Sequence, residues 1–263
     1  ASLTSPVSHY DYFQDVYPSL ANKTHVFKTT TYEDLVTILG SEGTFALLIG
    51  GAWSAETQAD IGYINDVAKE YGISTIYNFD TKLDGQDLNI ADSGNKYSHY
   101  YVDFVNKYLP NLSVSGATYS NPSPLADSAS VSSVTYGVYG GEVSYTNPSG
   151  EKVSAPKAES PYLLVYNKDH KDGNGASAPI IASLEKHGAD ESATYDSTYF
   201  SDPANIASYK AKVQNVLSAA KPAEYRTLTN WEFIGNAFNK TFWAENPAYD
   251  PSTPAVEGKS KVT

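Results

Sequence analysis

The chain has no cysteine and no methionine. Without a thiol it forms no disulfide, offers no thiolate to a metal and runs no thiol exchange. Methionine is missing even from position 1, which sets the expectation of a mature chain whose leader has been removed. Charge is sparse at 18% of residues, and positive charge is the sparser, with 18 Lys and Arg against 30 Asp and Glu for a formal net charge of −12. That balance disfavours nucleic acid and anionic membrane surfaces as partners. No apolar run approaches the ~18 residues that a spanning helix needs, so no transmembrane segment is expected, and the N-terminus does not look like an uncleaved signal peptide. His9, His25, His99, His170 and His187 make no i, i+4 pair and no H-E-x-x-H motif, so neither a zinc site nor any other cofactor is expected. A G-x-S-x-G elbow and the glycine pattern of a phosphate-binding loop are absent as well. Asp169 to Gly175 offers oxygen ligands and glycines but lacks the spacing of a calcium loop and its downstream bidentate Glu, and it reads as a polar turn.

What is present is enough apolar sequence for a core, 41% of residues, together with 22 tyrosines. Tyrosine beside many Ser, Thr, Asn and Gly, with few charges, is the composition of exported proteins. The expectation is a secreted or lipid-anchored surface protein of a Gram-positive bacterium, its anchor upstream of residue 1, with an extracellular protein or peptide as partner.

The most ordered stretch runs from Thr44 to Asp80. Phe45 to Ile49 is a short apolar run closed by Gly50-Gly51, the pattern of a strand buried on both faces. Gln58 to Tyr71 places Ile61, Ile64, Ala68 and Tyr71 at helical spacing, with Asp60, Asn65, Asp66, Lys69 and Glu70 on the polar side. Gly72 stands where a helix ends, and Ile73 to Phe79 is rich in β-branched and aromatic residues. Strand, helix and strand so close together predict a right-handed βαβ unit, with the helix N-terminus at the C-terminal end of the first strand.

Around this unit the spacing predicts an edge strand at His25 to Lys28 and a helix capped by Thr31 that carries Leu35, Ile38 and Leu39 and ends at Gly40. Lys82 to Asn95 reads as a loop. A helix follows over Tyr97 to Leu109, and Pro110 stops it. Val134, Tyr136 and Val138, then Val143 and Tyr145, alternate around Gly140-Gly141 before a turn at Asn147 to Gly150, so a β-hairpin insertion is expected within 111–160. Tyr162 to Tyr166 reads as a core strand with Pro179 to Leu184 as its antiparallel neighbour. Pro203 opens a helix with Ile206, Tyr209, Val213, Val216 and Leu217 on one face. Thr229 and Glu232 form a capping box before Trp231, Ile234, Phe238 and Phe242. The predicted organisation is an N-terminal arm or linker at 1–24, a domain at 25–221 carrying the insertion, and a C-terminal helix and tail at 222–263.

An apolar strand, a Trp and four residues that open an amphipathic helix, then a strand ending in Asp80, resemble a thioredoxin fold. Ser160-Pro161 before Tyr162 to Tyr166 resembles the cis-proline of that family, which precedes the fourth core strand and faces the redox motif. The resemblance implies an α/β fold with a central mixed sheet flanked by helices. It also makes residues 54 to 57 the counterpart of the C-x-x-C motif. Here they are Ser54-Ala55-Glu56-Thr57.

A serine hydroxyl has far too high a pKa to be ionised by a helix N-terminus, whose dipole supplies about 0.3 to 1 kcal/mol. No histidine lies near Ser54 in sequence to act as its base. Ser54 therefore reads as a helix cap, with Glu56 favourably placed in the first turn. Two functional readings stay open. In the first, the chain is a redox-inactive binding or adaptor module that uses Trp53, Ser54, Ala55, Glu56 and Thr57 against Ser160, Pro161 and Tyr162. In the alternative, it is a relative of thiol-disulfide oxidoreductases or peroxidases whose nucleophilic cysteine at 54 is absent or substituted, with Ser54 and Thr57 as the vestigial redox positions.

Overall fold

The computed structural model describes residues 10–84, 88–114, 141–187 and 193–222. Asp11 accepts the amides of Phe13 and Gln14 and so starts a short helix, α1 (Tyr12–Val16), with a 3-10 turn, Pro18–Leu20, behind it. β1 (Phe27–Thr29) leads into α2 (Tyr32–Leu39), where the Thr31 hydroxyl accepts the amide of Asp34, satisfying a first-turn donor that the helix itself cannot. β2 (Phe45–Ile49), α3 (Ala55–Glu70) and β3 (Ile76–Phe79) form the expected strand, helix and strand. α3 starts at Ala55 rather than Gln58, because the Ser54 hydroxyl caps it by accepting the amide of Thr57. It ends at Glu70, and Gly72 behind it takes a φ of 71°, a left-handed conformation that costs glycine little.

Then come α4 (Ser98–Tyr108), β4 (Glu142–Thr146), β5 (Lys152–Pro156), β6 (Tyr162–Tyr166), β7 (Ile180–Leu184) and α5 (Pro203–Leu217). Five strands make one mixed sheet in the order β1-β3-β2-β6-β7. β3 runs parallel to both β1 and β2, whereas β6 is antiparallel to β2 and β7 to β6. The fold is α/β, a mixed sheet with helices on both faces.

Strand alternation sorts the core into two layers. Leu47 and Ile49 of β2, with Tyr162, Leu164 and Tyr166 of β6, face Leu35 and Leu39 of α2, Phe104 and Val105 of α4, and the hairpin residues Val143 and Ala155. Ala46 and Leu48, with Leu163 and Val165, face Ile61 and Ile64 of α3, Tyr209 and Val213 of α5, and Phe13, Tyr17 and Leu20 from the N-terminal stretch. Residues 10–24, read from sequence as part of an arm, thus contribute three aromatic or aliphatic side chains to the second layer. Asn65 ties that stretch down, because its side chain accepts the amide of Val26 and donates to the carbonyl of Thr24.

Within the insertion, the strand carrying Val143 and Tyr145 pairs with Lys152–Pro156 across the Asn147 to Gly150 turn. The Asn147 side chain accepts the amides of Ser149 and Glu151, and Gly150 takes a φ of 87°, which makes this the closing turn of the hairpin. The strand expected at 134–138, the C-terminal helix expected around Trp231 and the tail behind it lie outside the described residues. Among those described, no helix is long and apolar enough to cross a membrane.

Candidate functional site

β2 delivers the chain to α3 on one face of the sheet, and β3 sends it toward α4 on the other, so the loops after Ile49 and Phe79 part at the C-terminal edge. Open α/β sheets place their sites at such a parting. Two glycines let the first loop turn in this crowded place. A Cβ on Gly50 would lie 2.9 Å from Ser160 Oγ, and one on Gly51 would fall on the Trp53 indole nitrogen and the Asp80 carboxylate. Trp53 Nε1 donates to Asp80 Oδ1 at 2.8 Å, and Lys82 Nζ sits 4.3 Å from the centre of the Trp53 ring. Burial raises the pKa of Asp80 above its ordinary value, against the indole and the Lys82 amide that stabilise its charge.

The predicted site residues are brought together. The Ser160-Pro161 bond is cis and leads directly into β6. The Ser54 hydroxyl accepts from Thr57 N at 3.1 Å, and its one proton has two acceptors in reach, Ser160 O at 3.1 Å and Glu56 Oε1 at 3.3 Å. Ser160 Oγ accepts the amide of Gly51 at 3.1 Å and shares a 2.6 Å hydrogen bond with Thr57 Oγ1. Three hydroxyls therefore clasp the start of α3 to the turn before β6. Ser54 is 4% exposed and Thr57 is fully buried. Ser160, Pro161 and Tyr162 are buried too, and the Tyr162 hydroxyl is spent on the carbonyl of Ser113. Of the eight residues, Trp53 and Ala55 remain exposed and Glu56 half-exposed.

Chemically this is a network of neutral, mutually satisfied groups rather than a poised nucleophile. Among the described residues no histidine is hydrogen-bonded to Ser54, and a Glu at 3.3 Å competes with a carbonyl for its proton. Behind the rim, Lys186 Nζ bonds Glu159 at 3.0 Å and lies 3.9 Å from Glu56. Burial, and then the Lys186 ammonium, lower the pKa of neighbouring His187. Among the described residues no group of three His, Cys, Asp or Glu could hold a metal ion.

Sequence reasoning missed Asp60. Its spacing puts it on the polar side of the helix, yet it is 1% exposed and neither of its oxygens has a hydrogen-bond partner among the described residues. The Tyr209 hydroxyl lies near enough to couple to its charge but outside hydrogen-bonding geometry. Tertiary packing over α3, by α5 and its neighbours, hides this carboxyl, and helical periodicity carries no signal of that.

Comparison with family models, curated proteins and solved structures finds no match to this chain.

Proposed function

We propose that the chain is a secreted or surface-anchored thioredoxin-like protein without redox chemistry, acting as a binding or adaptor module. The thioredoxin-like assignment draws support from the sheet order, from the cis-proline turn ahead of the fourth strand of the sheet, and from the contact of that turn with residues 54 to 57. One observation carries the functional reading. The hydroxyls of Ser54, Thr57 and Ser160 are consumed in bonding the loops to each other, while Trp53 and Ala55 beside them face solvent. A site with its reactive positions locked and its rim exposed suits recognition of an extended peptide more than turnover, since aromatic side chains anchor such contacts.

The test is a displayed library of random peptides panned against the intact protein, with insulin reduction measured in parallel. Enriched peptides are expected to lose binding to the Ala55→Arg variant, which adds bulk at an exposed rim position, and insulin is expected to stay oxidised. Reduction of insulin by this chain, or peptides indifferent to Ala55→Arg, would overturn the reading.

A further inference from the structure

On the far side of Trp53 from the cis-proline turn, the C-terminal ends of β1 and β3 open into a cavity of about 480 Å³. This lies within the range of small-molecule sites. Its lining pairs hydroxyls with one exposed ring, Tyr12, and one half-buried ring, Tyr32. Thr29, Thr30 and Thr31, in succession, form one side as the chain leaves β1 for α2. Tyr12, on α1, and Tyr32, on α2, face it as well, and Tyr12 is 40% exposed. Asp80 and Lys82 close the side next to Trp53.

The polar groups here have bonding capacity left over. Asp80 Oδ1 takes both the Trp53 indole and the Lys82 amide, while Oδ2 accepts nothing among the described residues. The hydroxyls of Thr29 and Tyr12 likewise find no hydrogen-bond partner there. An apolar ligand would bury the Asp80 carboxylate and these hydroxyls without partners, which disfavours it. An anionic ligand meets one ammonium, that of Lys82, already held over the Trp53 ring, in a chain of net charge −12. A peptide adding as a strand would find an edge only three residues long, with Lys28 exposed on it, a device that discourages pairing.

The ligand that fits is one with apolar faces and many hydroxyls, and no charge. We propose that this cavity binds an uncharged oligosaccharide, with a sugar ring against Tyr12 and Tyr32 and its hydroxyls bonded to Asp80 and Thr29. Tyrosine rings supply flat contact at low conformational cost and keep a polar tip for such a ligand. The aromatic surface continues past the cavity. Tyr32 lies edge-on to Tyr100 at 5.4 Å, Tyr100 is 43% exposed, and His99 lies 4.3 Å from it. That extension favours a chain of sugars over a single one.

The cavity borders the peptide site at Asp80, which holds the Trp53 indole, but neither Tyr12 nor Thr29 belongs to the peptide site, so variants there test this proposal separately. The intact protein is titrated by calorimetry and by protein NMR with linear tetrasaccharides of glucose, N-acetylglucosamine, galactose, mannose and xylose. At least one is expected to bind saturably at micromolar to millimolar concentration. Tyr12→Ala and Thr29→Val, both at exposed positions, are each expected to weaken it about tenfold or more with an unchanged melting temperature. No saturable binding by any of the five, or binding that both variants leave intact, would overturn the proposal.

Discussion

Asp60 is the residue with most to say about pH. Its carboxyl is buried on α3, facing Glu56 on its own helix, Tyr209 on α5, and Asp196. Desolvation, with the Glu56 charge adding to it, holds its pKa well above the ordinary 3.8. The folded chain therefore keeps a proton that the unfolded chain releases above about pH 4. Because the folded state binds more protons, stability from this group is fully present at acid pH and falls as pH rises toward the folded pKa. Asp60→Asn removes the titration. The melting temperature of the variant relative to the parent is expected to climb steadily from pH 4 to neutrality. A difference that is flat or shrinks over that interval would contradict the assignment. Ser54 belongs to the same scale, since a capping hydroxyl is worth about 1 kcal/mol whether or not it ever replaced a thiol.

The elements themselves were largely legible. β2, α3 and β3, the strand at Tyr162, its neighbour at Ile180 and the helix opened by Pro203 all announce themselves through apolar runs, periodicity and end signals, which the local sequence carries. Legibility failed for single polar residues on a helix that is covered on two sides. α3 lies between the sheet and α5, and the 3-10 turn also presses on it, with Ser19 Cβ 3.0 Å from where a Cβ on Gly62 would stand. Asp60 and Asn65 are thus interior despite their polarity. The hairpin partner was equally hidden, since β5 alternates weakly and is fixed by contacts from afar. The buried Tyr101 of α4 supplies one. Its hydroxyl donates to Pro156 O and accepts Ala158 N, both at 2.7 Å. Tyr101→Phe strands that carbonyl and that amide, a loss of about 1 to 3 kcal/mol. Faster hydrogen exchange at the Ala158 amide and a lower melting temperature are expected. Unchanged exchange there would mean that the hairpin is held by other contacts.

Across the whole molecule, net charge sets the terms. The described ion pairs Lys152–Glu142, Lys168–Asp169 and Lys210–Asp66 are at the surface, where such pairs contribute little. They do not offset the self-repulsion of a chain at −12. Screening shortens the reach of that repulsion from roughly 30 Å at 0.01 M salt to about 8 Å at 0.15 M. The melting temperature at neutral pH is expected to rise with sodium chloride over this range, and a fall would show that attractive pairs dominate. At this scale the charge balance is legible in the sequence alone. The cavity at the ends of β1 and β3 was invisible in it, because Tyr12, Thr29, Tyr32 and Asp80 meet only once α1 has docked and the sheet has ordered its strands.

The start of α3 is built either to hold loops together or to hold a thiolate, and one substitution separates the two. Ser54→Cys gives the protein its only thiol, so its alkylation rate against pH, and its exchange with a small disulfide, can be followed without background. Burial at 4% exposure and the Glu56 carboxylate beside position 54 both disfavour a thiolate and are expected to outweigh the helix dipole. The predicted midpoint lies at or above the ordinary thiol value of about 8.5, with slow exchange. A midpoint near 7 or below with fast exchange would contradict the account, and would mean that the pocket is still fitted to redox chemistry.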